Sequence, residues 1–365
     1  MSELVKRAAP EEAPASPTGA IVEAKRQRRD DEIVPAGISM SSSISTKVAE
    51  GPARTSALLA PNMLLTGHAD QVFTLRFNPA GDLIATGSFD KTILVYRVYG
   101  ECENVLQIKG HKNAVLELHW LPDGERLVSC SPDRTARVWD AETGRQLKRM
   151  AEHTEIVNSC RPLRRGGPLV VTGSDDGTAK VWDLRAKRSV ATVTERYQIL
   201  ATAWAEAGDQ IYTAGIENVV RAWDLRRNEA VMTLEGHTDS VTGLDVAPGG
   251  THLLSNGADG VVREWDVRPY APQDRCCAAY RGATHDFERN LLRCAYSPNG
   301  TKLVAGSADR LVRVWERGTA RQLYVLPGHT GSVNEVVFHP TEPIVASAGS
   351  DKRVFMGELA SASAA

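Results

Sequence analysis

One pattern repeats through most of this 365-residue chain and limits what it can fold into. From Met63 to Leu359 a Gly-His or similar pair recurs, as Gly67-His68, Gly110-His111, Glu152-His153, Gly236-His237, Thr284-His285 and Gly328-His329. A dipeptide that opens on an aromatic closes most units: Tyr96-Arg97, Trp139-Asp140, Trp182-Asp183, Trp223-Asp224, Trp265-Asp266 and Trp315-Glu316. Six residues ahead of each aromatic stands an acid: Asp90, Asp133, Asp176, Glu217, Asp259 or Asp309. Most intervals are about 40–45 residues, the length of one small repeated sheet.

Between the landmarks lie short alternating runs bounded by turn residues. Val115 to Trp120, then Pro122-Asp123-Gly124, then Leu127 to Cys130 reads as strand, turn, strand. Each unit supplies about four strands, and a sheet that small cannot bury both faces alone. Neighbouring units must pack face to face until a ring closes. After His329 the chain has room for three strands only, whereas Met63-Leu64-Leu65 precedes the first Gly-His where other units carry their outer strand. The two chain ends should therefore complete one sheet together, which removes an unpaired edge. The expected fold is all-β, a seven-bladed propeller over residues 59–359, with a disordered tail at 1–58 and a short C-terminal tail at 360–365.

These landmarks resemble the WD-repeat family. The resemblance implies that His, turn Asp, a nearby hydroxyl and Trp form a buried hydrogen-bonded latch. His111, Ser131, Asp133 and Trp139 match that pattern, as do His153, Ser174, Asp176 and Trp182, with His237, Asp259, Trp265 and His329 as further members. A buried carboxylate and imidazole are tolerated only when mutually satisfied, so recurring His-Asp-Ser groups read as structure and not as catalysis. The fourth unit has Glu195-Arg196-Tyr197-Gln198 where Gly-His should stand, and the last has Gly357 in place of Trp. Both are expected to lack a full latch.

Composition excludes other classes. No run of about 18 apolar residues could span a bilayer, and no secretory leader opens the chain, so the cytosol or nucleus is expected. The six cysteines show no zinc or disulfide spacing. Phosphate loops, G-x-S-x-G and H-E-x-x-H are missing, so no catalytic residue, metal, cofactor or small-molecule substrate is expected. A net charge of −2 gives no global pull toward nucleic acid, and RNA should be met mainly through other proteins. Within residues 1–58, Lys25, Arg26, Arg28 and Arg29 form a basic cluster that reads as a nuclear import signal.

A narrower resemblance rests on Gly173 to Thr178, Asp239 to Leu244, Trp265 to Pro269, Asn290 to Cys294 and the ending Phe355-Met356-Gly357-Glu358. These stretches resemble the spliceosomal branch of the WD-repeat family, found in the U5 small nuclear ribonucleoprotein. The resemblance implies a nuclear scaffold for pre-mRNA splicing, with the particle's large central splicing factor and other spliceosomal proteins as partners. The alternative is a substrate receptor of a cullin-RING ubiquitin ligase, because Trp182 to Arg185, Trp223 to Arg226 and Trp265 to Arg268 resemble W-D-x-R adaptor motifs. Arg185, Arg226 and Arg268 would then make the contact. For partner binding, Phe89 stands out because the residue before each turn acid is otherwise small or polar in most units and should face solvent. Tyr197 sits near the missing latch His, and Tyr270 and Phe287 lie in longer loops suited to recognition.

Overall fold

The computed structural model describes residues 54–272, 274–288 and 290–359. Lys25 to Arg29 and residues 360–365 lie outside them. Among the described residues there are 28 strands and no helix, arranged as seven four-stranded antiparallel sheets. Blades 1 to 6 span 72–109, 117–150, 157–194, 199–234, 241–281 and 294–326, and blade 7 spans 333–358. The first strand of each blade touches the first strands of its two neighbours, blade 7 meeting blade 1, so seven first strands line a central channel.

Burial follows this order. The innermost strand Val241–Val246 is buried throughout, whereas the outer strand Asn104–Lys109 is largely exposed. Apolar side chains pack between sheets: Val128 and Cys130 of blade 2 meet Val157 and Trp182 of blade 3. Trp139, Trp182, Trp265 and Trp315 are all but inaccessible.

The second and third strands of each blade join at a tight turn whose chemistry is visible in the sequence. The residue after each turn acid is left-handed, including Lys91, Arg134, Arg310 and Lys352 at φ between 64° and 71°. That conformation costs a side chain roughly 1–2 kcal/mol. The preceding Asp offsets it by accepting the N–H two residues on, as Asp90 does from Thr92 and Asp133 from Thr135. In blade 4 the acid is Glu217, too long for this turn, and Asn218 takes the left-handed position at φ 64°.

The two ends of the described chain meet in one sheet. Asn62–Leu65 pairs antiparallel with the last strand Val354–Glu358, from Asn62 opposite Gly357 to Leu65 opposite Val354. The contacts begin earlier than the expected boundary at residue 58. Arg54 and Thr55 bind the Glu358 carboxylate, Ala57 N–H donates to Glu342, and Leu58 is buried in the blade 1 and blade 7 core. A lone leucine among Ala, Ser and Pro carried no periodicity by which to see this.

Candidate functional site

Hydrogen bonds give the relay a direction. The Trp139 Nε1–H, which can only donate, reaches Ser129 Oγ at 2.8 Å, and Ser129 lies 2.8 Å from His111 Nε2. At the other end the Asp133 carboxylate, 3.0 Å from His111 Nδ1, can only accept, so Nδ1 carries the imidazole proton, and in the neutral ring Nε2 accepts from the Ser129 hydroxyl. Burial pushes the His111 pKa down, in keeping with a neutral ring. Burial alone would raise the Asp133 carboxyl, but bonds from His111 and Thr135 hold it far below the usual range. His153, Thr172, Asp176 and Trp182 repeat the arrangement, and so do His237, Ser255, Asp259 and Trp265.

The hydroxyl in this relay is not the expected one. Ser131 and Ser174 end their strands and accept the N–H of Asp133 and Asp176, fixing the turn. Ser131 sits opposite Thr135, one rung from the turn, whereas Ser129 sits opposite Arg137, deep enough for its hydroxyl to reach both rings. The missed signal is a spacing: ten residues before the closing aromatic, or before Gly357 in blade 7, stand Thr86, Ser129, Thr172, Thr213, Ser255 and Ser347.

Blade 4, expected to lack a latch, has a substitute. Glu195, eighteen residues before Thr213 and two before Tyr197, stands at the histidine position. Trp223 donates to Thr213, Thr213 to Glu195, and Arg221 bridges Glu195 and Glu217. In blade 6 the pair Thr284-His285 is not the motif. Gly282 packs on Arg313 as Gly236 packs on Arg263, so Ala283 takes the histidine place. Asp309 pairs with Arg313 instead. His285 Nε2 is buried without a hydrogen-bond partner, and burial lowers its pKa to about 4. Blade 7 keeps His329, Ser347 and Asp351, and Phe355 stands edge-on to His329 at 4.7 Å in the absence of Trp.

These contacts rank two substitutions. Asp133→Ala strands His111, Thr135 and the Lys112 N–H and should cost about 1–3 kcal/mol. Glu217 holds only the exposed side of Arg221, so Glu217→Ala should cost less than about 1 kcal/mol. Urea midpoints of the two variants check the order, and the reverse order would contradict this account of the relays.

The candidate contact residues separate by end of the ring. Phe89, in the turn between second and third strands, lies at the relay end with Tyr197 and Phe287, which sit in loops entering blades 4 and 6. Tyr270, 99% exposed, lies between the third and fourth strands of blade 5, at the other end. Phe89 is 49% exposed but packs edge-on to Phe73 at 6.2 Å. The equivalent positions are not uniformly idle: Asp175 binds Asn158, and Ser350 binds Ser332. Arg185 and Arg268 clamp their own Asp183 and Asp266, while Arg226 uses its backbone N–H on Asp224. His252, Asp266 and Cys277 bring ligand-type atoms within 4.8 Å of one another, but Arg268 already holds that carboxylate.

Inside the channel lies a buried charged network that pattern reading did not single out. Arg76 pairs with Glu335, Glu117 contacts Arg161 at 3.3 Å and Arg293 at 3.7 Å, and Asp245 contacts Arg161 at 3.1 Å and Arg164 at 3.2 Å. His119 is held to Glu117, and its burial, with Arg76 and Arg161 close by, lowers its pKa to about 3. The available signal was a charge in the innermost strand of blades 1, 2, 3, 5 and 7, with Arg293 immediately before that of blade 6.

Comparison with known proteins agrees with this architecture. A "WD domain, G-beta repeat" model matches residues 144–183, 228–266, 276–316 and 320–356, and an "Anaphase-promoting complex subunit 4 WD40 domain" model matches 75–160. The chain is 48% identical over 309 residues to the human U5 small nuclear ribonucleoprotein 40 kDa protein, covering 85% of this chain and 87% of that one. The protein of that name from Dictyostelium discoideum is 42% identical over 336 residues, with 92% and 93% covered. Pre-mRNA-splicing factor cwf17 of Schizosaccharomyces pombe is 40% identical over 317 residues, with 86% and 93% covered.

Proposed function

Because the chain belongs to the WD-repeat family of U5 small nuclear ribonucleoprotein 40 kDa proteins, we propose that it is a non-catalytic scaffold of the nuclear splicing machinery that docks on the large central splicing factor of the U5 particle. The observation that carries this reading is the likeness over 85% of the chain, at 48% identity to a relative named for that particle. The site chemistry supports it. Each relay histidine is committed to an acid and a hydroxyl, so neither its proton nor the carboxylate is available to a substrate. What the ring offers outward is surface, and three half- or fully exposed aromatics share the relay end. With a net charge of −2, RNA in the particle is met mainly through its proteins. The cluster at Lys25 to Arg29 would direct import to the nucleus. Arg185 and Arg268, folded back on their own aspartates, lend no separate support to a ligase adaptor contact.

Phe89→Ala and Tyr197→Ala should each weaken capture of that splicing factor from nuclear extract by about 1–2 kcal/mol, with stability kept within about 1 kcal/mol. Pull-down with thermal melts measures both quantities. Undiminished capture by the double variant would place the contact elsewhere.

A further inference from the structure

At the end of the ring opposite Phe89 the channel opens into a cavity of about 560 Å³. Its rim is a repeat position. The first residue after each innermost strand donates its N–H back to the second strand, as Asn78 does to Leu83 and Leu121 to Arg126, and the next residue is Pro79, Pro122, Pro248, Pro298 or Pro340 in five blades. Proline fixes φ and presents a rigid apolar wall. Blades 3 and 4 break the collar: the same bond from Leu163 to Leu169 is followed by Arg164, and that from Ala205 to Gln210 by Glu206.

The channel network that meets this funnel carries an uneven charge, and of its members Arg76, Arg161, Arg164 and Asp245 line the cavity. Arg161 and Arg164 share one oxygen of Asp245, at 3.1 and 3.2 Å, and Arg161 and Arg293 share Glu117. Arg76 takes Glu335. Four guanidiniums, those of Arg76, Arg161, Arg164 and Arg293, thus face three carboxylates, and Arg165 with Glu206 at the rim forms a neutral pair. The excess is open to a ligand at Arg164, whose side chain is 55% exposed. Half-buried Phe77 and Phe338 stand beside the prolines.

We propose that this funnel docks an extended peptide segment of a partner protein, which sets an Asp, Glu or terminal carboxylate on Arg164 and an apolar side chain against the proline collar. One half-exposed cation that shares its only carboxylate, Asp245, with Arg161 and stands beside a proline-rich rim suits a single added carboxylate. An RNA backbone would need a row of exposed cations to neutralise successive phosphates, whereas of the four arginines in this lining Arg76 and Arg161 are largely buried against carboxylates and Arg165 is paired with Glu206. The site goes beyond the proposed docking surface and lies on the other end of the ring, so the two can fail separately.

An octapeptide phage library panned against the full chain, with enriched sequences remade as fluorescein-labelled peptides, tests this by polarisation. Enriched peptides are expected to carry Asp or Glu beside an apolar residue. Arg164→Glu, and likewise the charge-removing Arg164→Ala, should weaken them tenfold or more. Arg149→Glu on the outer strand of blade 2, and the Phe89→Ala Tyr197→Ala double variant, should leave binding within twofold. Thermal melts confirm that each variant is folded. Enrichment without acidic residues, no enrichment at all, or unchanged binding by folded Arg164→Glu would overturn the proposal. So would a ten-nucleotide oligouridylate that binds more tightly than the peptides and is lost in the same variant.

Discussion

A chain that starts at residue 67 will unfold at a far lower denaturant concentration than one that starts at residue 54. The shorter chain lacks Asn62–Leu65, so the last strand Val354–Glu358 becomes an open edge. It also loses Leu58 and Leu65, each buried to 4% exposure or less against blades 1 and 7. Burial of two leucines contributes about 3–6 kcal/mol, before any ladder hydrogen bond is counted. Domains of this kind are stable by about 5–15 kcal/mol in total, so the loss approaches the whole margin. A third chain starting at residue 59 separates the parts. It keeps the closing strand but gives up Leu58 and the hold of Arg54 and Thr55 on Glu358, and should fall between the others by about 1.5–3 kcal/mol. Guanidinium titrations of the three chains, with equal slopes as the check on two-state behaviour, measure the series. Equal midpoints for starts at 54 and 67 would mean that the ring does not depend on the N-terminal strand.

The ring was legible because its determinants are local and repeated. Turn acids, closing tryptophans and the shortfall of one strand in the last unit each follow from spacing, and spacing is what a repeat displays. The errors share a physical origin. Ser129 and Ser131 are on the same face of one strand, so alternation alone cannot say which of them lies within reach of both rings; the pairing of Ser129 opposite Arg137 decides it. Glu195 does not show in a pattern defined by histidine. The relay needs only an acceptor for the Thr213 hydroxyl and a second group to hold it, and a carboxylate with Arg221 meets both needs. The channel charges were invisible for another reason. Arg293 comes from blade 6, yet its partners are in blades 2, 3, 4 and 5, and such contacts exist only once the ring is closed.

Those partners make Arg293 the side chain with the largest single effect. It is 1% exposed, and it donates to the carbonyls of Asn158 at 2.7 Å, Thr242 at 2.9 Å and Leu200 at 3.2 Å, one in each of three successive blades. Glu117, fully buried, also accepts the Cys160 N–H at 3.0 Å and lies beside Arg161. Arg293→Ala would leave three buried carbonyls without this donor and tip the Glu117 charge toward imbalance. Removing one member of a buried ionic network typically costs about 3–5 kcal/mol, because the remaining charges stay desolvated without their counterion. Arg268→Ala frees a half-exposed guanidinium from the buried Asp266, which still accepts the backbone N–H at position 268, so it should cost less than Arg293→Ala. Burial alone would raise the Glu117 carboxyl, but Arg293, His119 and Arg161 hold it well below the carboxylate range. Arg293→Ala removes the largest of these and leaves the buried carboxylate with Arg161 as its guanidinium partner. A second change, Glu117→Gln, removes that charge while keeping its shape and should recover part of the stability lost by Arg293→Ala. Urea midpoints of the two single variants and the double variant give the coupling directly. Additive losses, or an Arg293→Ala cost no greater than that of Arg268→Ala, would mean that the seven blades are held by packing between sheets and not by charges across the channel.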